Sequence, residues 1–187
     1  MKNIVASVAR AIEDLHRENI IIAIDGRCAS GKTTLASEIK NIYDCNVIHM
    51  DDFFLRPEQR ISERLNVAGE NVDHERFLEE VLLPLKTGKD FSYRPFNCAP
   101  MTLGEPIEIK SKKINIIEGS YSCHNNLYEY YDLKIFLTVD SEKQLERILK
   151  REGKDKTEMF KSKWIPMEEK YFSTFDIEKR CDYCFEI

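Results

Sequence analysis

Apolar positions along the chain switch between two periods, and the switches mark out the elements. In segment 4–15, Ile4, Val5, Val8, Ile12 and Leu15 fall on one face of a helix. Residues 19–25 then form an almost unbroken β-branched run, the pattern of a strand buried on both faces. A glycine-containing turn leads into a predicted helix over 32–43, and 45–50 reads as a second strand. Residues 51–72 are polar and irregular, consistent with loop and short helix. Asp73 is suited to cap a helix over 74–83, with Pro84 near its end. Segment 86–112 carries Gly88, Pro95, Pro100, Gly104 and Pro106 and reads as an excursion or hairpin.

Further on, 113–117 and 133–139 are two more buried strands. Ser141 is placed to cap a helix reaching Arg151, with Leu145, Ile148 and Leu149 facing inward and Gly153 ending it. Phe160, Trp164, Met167 and Tyr171 keep helical spacing, although Pro166 must kink or restart that helix. Residues 183–187 suit a last strand. Strands separated by helices predict a parallel α/β sheet.

Composition narrows the class. A chain of 187 residues is the length of one ordinary domain, 1–187. Apolar residues make up 42% and charged residues 33%, which excludes a disordered or membrane-embedded chain. Net charge is −5, so nucleic acid is not an expected partner. No apolar run approaches the roughly 18 residues of a membrane span, and Arg10, Glu13 and Asp14 interrupt any signal-like segment. A cytoplasmic setting is expected, with the six cysteines as free thiols. Cys181 and Cys184 form a lone CxxC pair without the second pair that a zinc site needs, and they fit a terminal strand. A homo-oligomer is compatible with this composition.

The strongest chemical signal is Gly26-Arg27-Cys28-Ala29-Ser30-Gly31-Lys32-Thr33, which fits G-x-x-x-x-G-K-[ST] at every fixed position. A buried strand precedes it and a helix follows. The glycines let backbone wrap closely around phosphate, and the helix N-terminus adds its positive end. Gly26 to Thr33, with Thr34, are therefore the expected nucleotide cradle. Lys32 can reach the β- and γ-phosphates, and the Thr33 hydroxyl can join a Mg²⁺ shell. Cys28, inside the loop, is a candidate for alkylation. The motif predicts the three-layer α/β fold of P-loop proteins, with a small insertion near 86–112 and a helical lid near 147–165.

Other segments select among users of this loop. The chain has no Asn-Lys-x-Asp guanine reader, and motor-type ATPases are usually larger; small-molecule phosphoryl transfer remains. His49-Met50-Asp51-Asp52-Phe53-Phe54 lies at the carboxyl end of the second strand, the ligand-binding edge of open α/β sheets. Asp51 can face the γ-phosphate and accept a hydroxyl proton. Asp51, Thr33 and Glu118 are the metal candidates, Glu118 ending a Walker B-like strand. Arg147 and Arg151, four apart, share a helix face suited to close over the transferred group. Asp52, Phe53, Tyr93, Arg94, Phe96 and Glu118 are the candidates for gripping the acceptor. Two alternatives stay open: a nucleoside-monophosphate kinase, for which Arg56, Arg60, Arg64 and Arg94 are available, and a regulator that uses ATP as a switch.

Taken together, Gly26–Thr33, His49–Phe54, Ile116–Gly119 and the helices over 147–172 resemble the uridine kinase / phosphoribulokinase-like branch of P-loop kinases, over roughly 19–187. The Asp-x-Phe-[Phe/Tyr] stretch points to that branch. The resemblance implies a five-stranded parallel core, ATP with Mg²⁺, a small-molecule acceptor such as uridine or cytidine, and Asp51 as the catalytic base. Uridine kinases usually carry Tyr-Asp-Phe-x-x-His-x-Arg; the corresponding region here is 91–97, in which Tyr93 aligns and the histidine and arginine are absent. The arginine-rich lid ending Arg-Gly-Arg is replaced by 147–153.

Overall fold

A computed structural model describes residues 1–187. Its elements are, in chain order, α1 (Lys2–Asp14), β1 (Ile20–Gly26), α2 (Lys32–Lys40), β2 (Cys45–His49), α3 (Ser62–Leu65), α4 (His74–Phe77), α5 (Leu83–Thr87), β3 (Phe91–Tyr93), β4 (Phe96–Asn97), β5 (Thr102–Leu103), β6 (Ile107–Ile109), β7 (Ile114–Glu118), β8 (Leu133–Thr138), α6 (Ser141–Glu152), α7 (Lys154–Met159), α8 (Ile165–Thr174), α9 (Ile177–Arg180) and β9 (Tyr183–Glu186).

The apolar strands are where their composition put them. Five of them form one parallel sheet in the order β2-β7-β1-β8-β9, with β1 at its centre. Every residue of β1 is buried, because helices cover both faces. Side chains alternate across the sheet. Ile20, Ile22 and Ile24 join Val8, Ile12, Leu35 and Ile39 on the α1/α2 side, while Ile21 and Ala23 join Phe53, Phe77, Phe136, Tyr171 and Phe172 on the other. This is a three-layer α/β arrangement. No helix is long and apolar enough to cross a membrane.

The segment 74–87 departs from its expected end. It does not stop before Pro84: a π turn at Leu78–Leu82 follows α4, and Pro84 sits in the first turn of α5. The same device recurs at Phe160–Trp164, just ahead of Pro166 at the start of α8. A proline has no N–H and crowds the carbonyl four residues back, so a wider π register lets the chain pass it without a break. Asp73 does cap α4, accepting the Arg76 N–H at 3.1 Å. The cap of α6 is Asp140, not Ser141; its carboxylate accepts the amides of Glu142 and Lys143. Leu149, expected inward, is 49% exposed, because Ile148 and Gln144 occupy the face of α6 that meets the loop after β1.

Segment 86–112 pairs as two short antiparallel ladders, β3 with β6 and β4 with β5. All six cysteines are free, and Cys184 lies in β9 with Cys181 just before it.

Two glycines are dictated by close approach. Gly26, at φ 134°, lies so near β8 that a Cβ would fall 2.0 Å from the Leu137 carbonyl oxygen. Gly119, at φ 139°, closes on Met50, whose Cβ would be 2.9 Å from an added carbon.

Between these glycines sits Asp25, fully buried at the end of β1. One of its oxygens accepts the amides of Gly26 (2.6 Å) and Tyr121 (3.2 Å). The other accepts the Cys123 amide (2.8 Å) and the Tyr171 hydroxyl (2.8 Å). Burial raises its pKa to about 6 against these donors and the nearby Lys32, from an ordinary 3.8. Between those two values the native state binds more protons than the unfolded chain. Stability from this group therefore rises as pH falls from about 6 toward 4, and the penalty is complete above 6. In urea unfolding, wild type should gain about 2 to 3 kcal/mol relative to Asp25→Asn between neutral pH and the ordinary carboxylate range. A difference that does not move with pH would refute this assignment.

Candidate active site

The loop between β1 and α2 is shaped by its own backbone. Arg27 N–H bonds to the Leu137 carbonyl (3.1 Å) and Ser30 N–H to the Arg27 carbonyl (3.1 Å), turning the chain back on itself. Leu35 N–H is the first of α2 to reach an upstream carbonyl, that of Gly31, at 2.9 Å. The amides of Lys32, Thr33 and Thr34 belong to the helix's first turn and are left for a ligand. Lys32 is folded back, donating from Nζ to the carbonyls of Gly26 (2.7 Å) and Arg27 (2.9 Å) and to Ser120 Oγ (3.4 Å).

The side chains of the loop diverge. Arg27 turns away from the cleft and grips Glu169 through Nε (2.7 Å) and Nη2 (3.0 Å), with Nη1 on Thr138 Oγ1 (2.6 Å). The buried Cys28 thiol lies against Gln144. Burial, and Glu168 beside it, push its pKa up to about 12, so it stays protonated and is a poor target for alkylation.

Opposite the loop, Thr33 donates its hydroxyl to Glu118 Oε1 (3.1 Å), and His49 Nδ1 meets the same oxygen at 2.6 Å. That hydrogen bond raises the His49 pKa, against the opposing effect of its burial. Asp51 follows on the turn after β2. Asp51 is an exposed residue, but the surrounding cleft walls partly desolvate its carboxylate and raise its pKa; Glu118 and Glu168 add to the shift, and Lys32 and His49 oppose it. Thr33 and Glu118 are hard-oxygen donors of the kind Mg²⁺ takes, beside helix-end amides suited to phosphate, and Asp51 lines the same cavity. The residues present fit a Mg·nucleotide.

These groups line one cavity of about 1160 Å³. Its lining includes Gly31, Lys32, Thr33 and Thr34 of the loop and α2, Arg147 and Arg151 of α6, and Asp51, Phe54, Arg60, Asn71, Tyr121 and Trp164. Arg147 donates to the Ala29 carbonyl at 3.1 Å, and Arg151 is exposed and paired with its neighbour Glu152.

Several expected acceptor residues are elsewhere. Of those six, only Glu118 lines the cavity. Phe53 is fully buried, packed edge-on against Phe77 and beside Tyr93. Tyr93 is also buried and donates its hydroxyl to Asp52 at 2.8 Å, so that pair ties the insertion to the turn after β2. Arg94 is spent on the carbonyls of Gly104 and Leu103, and Phe96 is buried under Arg60. Phe91 and Tyr93 of the insertion pack against the apolar layer, while Phe96 lies under Arg60.

Asp25, Ser120 and Glu168 escaped the sequence reading. Asp25 had a visible sign, an acid ending an apolar strand; Ser120 and Glu168 had none. A further buried cluster, Glu70, His74 and His124, brings three ligand-type atoms within 4.8 Å of one another. The imidazoles are stacked 13° from parallel with centroids 4.1 Å apart, so their lone pairs cannot converge on one ion. His124 Nδ1 also accepts the Asn126 N–H, which leaves the proton on Nε2, the atom facing Glu70. The cluster is a packed pin between the 66–74 loop and the segment after β7.

The model of the phosphoribulokinase / uridine kinase family matches residues 21–162. The chain belongs to that family. A uridine-cytidine kinase B from Dictyostelium discoideum is 33% identical over 143 residues, 71% of this chain and 58% of the relative. A Staphylococcus aureus uridine kinase is 31% identical over 147 residues, 73% of this chain and 70% of the relative. A solved structure titled a possible uridine kinase, from Bacillus stearothermophilus, superposes with a TM-score of 0.73 at 18% identity, covering 98% of both chains. The fold is therefore the α/β P-loop fold.

Glu118→Gln should weaken Mg²⁺ activation roughly ten- to a hundredfold. A Mg²⁺ titration of nucleotide binding that matches wild type would remove Glu118 from the metal set.

Proposed function

We propose that this protein is an ATP- and Mg²⁺-dependent kinase that transfers the γ-phosphoryl group to a hydroxyl of a small metabolite, a nucleoside of the uridine or cytidine type. The observation that carries this reading is Asp51: a carboxylate of raised pKa, in the same cavity as Lys32 and the phosphate-binding amides, beside an aromatic-walled space. Family membership and the names of the curated relatives support the acceptor class.

Phosphoryl transfer asks mainly for positioning and charge neutralisation. The amides of α2 and Lys32 bind the triphosphate. Mg²⁺, held by Thr33 and Glu118, supplies charge neutralisation at the phosphates. Asp51 accepts the proton of the attacking hydroxyl, and its raised pKa strengthens it as a base. Arg147 and Arg151 approach the transferred group from α6. Phe54, Tyr121 and Trp164 offer stacking faces for a base.

The monophosphate-kinase alternative needs free cations for a second phosphate. Arg64 is paired with Glu70 and Glu75, Arg56 lies between Glu58 and Asp73, and Arg94 holds two carbonyls. Arg60 alone of the four lines the cavity. This disfavours a phosphorylated acceptor. A switch protein would need no acceptor space beside Asp51.

ADP release from Mg·ATP should be stimulated by uridine or cytidine over other nucleosides, pantothenate and nucleoside monophosphates, and Lys32→Ala should abolish it. A flat panel would overturn the acceptor assignment. Asp51→Asn should cut kcat about 10²- to 10⁴-fold while ATP binding is kept; an equal loss of ATP affinity would refute the base role. In wild type the acid limb of kcat should lie above pH 3.8, the ordinary carboxylate value.

A further inference from the structure

Glu168 lies on α8, remote in sequence from the phosphate loop and from both acid-tipped strands, yet it is 6% exposed and lines the cavity. Both of its oxygens are engaged. One accepts the Cys28 amide at 2.9 Å; the other accepts the Ser120 hydroxyl at 2.7 Å. Ser120 Oγ in turn accepts from Lys32 Nζ. A hydroxyl has one proton, and Ser120 has two acceptors in reach, Glu168 at 2.7 Å and the Gly26 carbonyl at 3.2 Å; given to the nearer carboxylate, the proton leaves a lone pair for Lys32. The result is a hydrogen-bonded chain, Lys32–Ser120–Glu168–Cys28, that starts and ends on the phosphate loop.

Two features set this chain apart from ordinary packing. All three Lys32 donors are occupied, two by loop carbonyls and one by Ser120, so Lys32 must give up at least one to reach a triphosphate. A full carboxylate is also buried where an arriving phosphate brings more negative charge, a costly choice for a residue needed only to fill space. The next residue, Glu169, holds Arg27. Two successive acids of α8 thus grip two successive residues of the loop. The same helical segment carries Lys156, Phe160, Lys163 and Trp164 along the cavity.

We propose that Glu168 is a positioning residue that acts through Ser120 and the Cys28 peptide: it sets the third partner of Lys32 and the shape of the phosphate loop, and so couples nucleotide binding to the α7–α8 segment. This rests on the kinase reading for its effect on turnover, but its effect on nucleotide affinity does not require that reading.

Trp164, the single tryptophan, lies in the cavity wall and reports on binding. Mg·ADP would be titrated by Trp164 fluorescence into wild type, Glu168→Gln, Glu168→Asp and Ser120→Ala, with melting temperatures alongside. Glu168→Gln removes a buried negative charge beside the incoming phosphates and loosens the Ser120 link to Lys32, so its Kd for Mg·ADP should fall about fivefold, while kcat with ATP and uridine falls about tenfold and the uridine KM stays within twofold. Ser120→Ala should tighten ADP binding in the same sense. Glu168→Asp, which keeps the charge, should return Kd toward wild type. Tighter binding is the informative sign, because a variant that is merely damaged binds more weakly. Unchanged or weakened ADP affinity in Glu168→Gln, with or without a lower melting temperature, would overturn the proposal. A wild type that binds ADP but phosphorylates no acceptor would instead count against the kinase reading, and the ADP titration would still decide the role of Glu168.

Discussion

The site depends on one buried carboxylate. Asp25 collects four donors from three separate stretches of chain: the start of the phosphate loop, the segment after β7, and α8. A carboxylate taken out of water must find such partners or lose its charge. Meeting that demand fixes the loop, the Glu118-Gly119-Ser120 corner and α8 to one another. Asp25 performs no chemistry in the proposed mechanism; it defines the distances at which Lys32, Glu118 and Glu168 can act.

Around that hub the charges are held in tension. Asp51, Glu118 and Glu168 face one cleft, with Lys32 and His49 as the cations whose fields reach Asp51. The mutual repulsion is relieved locally: His49 hydrogen-bonds Glu118, Ser120 donates to Glu168, and Lys32 bonds the loop. A magnesium nucleotide brings both a dication and phosphates, so its arrival exchanges these internal partners for external ones.

The two π turns show how local chemistry and tertiary demand were reconciled. Pro84 and Pro166 each sit just past a π turn, and the helical path continues through both. At Pro166 this continuity matters for the site. It carries the segment from the cavity-lining residues Phe160, Lys163 and Trp164 directly into Glu168, Glu169 and Tyr171, which hold the loop and Asp25. This wall of the cavity and the phosphate loop are therefore joined by an unbroken helical segment.

The phosphate loop, the order of strands and helices, and the acids ending β2 and β7 could all be read from the chain, because each is a local demand. Glycine is required where backbone crowds backbone, an unbroken β-branched run suits a doubly covered strand, and an acid after a buried strand has nowhere to go but the sheet edge. The acceptor wall could not be read this way. Tyr93, Arg94 and Phe96 have suitable chemistry, but their side chains are directed by the pairing of β3 to β6 and β4 to β5 and by the apolar layer beneath. Glu168 and Ser120 lie 48 residues apart and meet only when α8 crosses the end of β7. Local sequence determined which groups could bind phosphate; long-range packing around a buried charge decided which others surround them, because side-chain direction is set by what lies across the interface and not by neighbours along the chain.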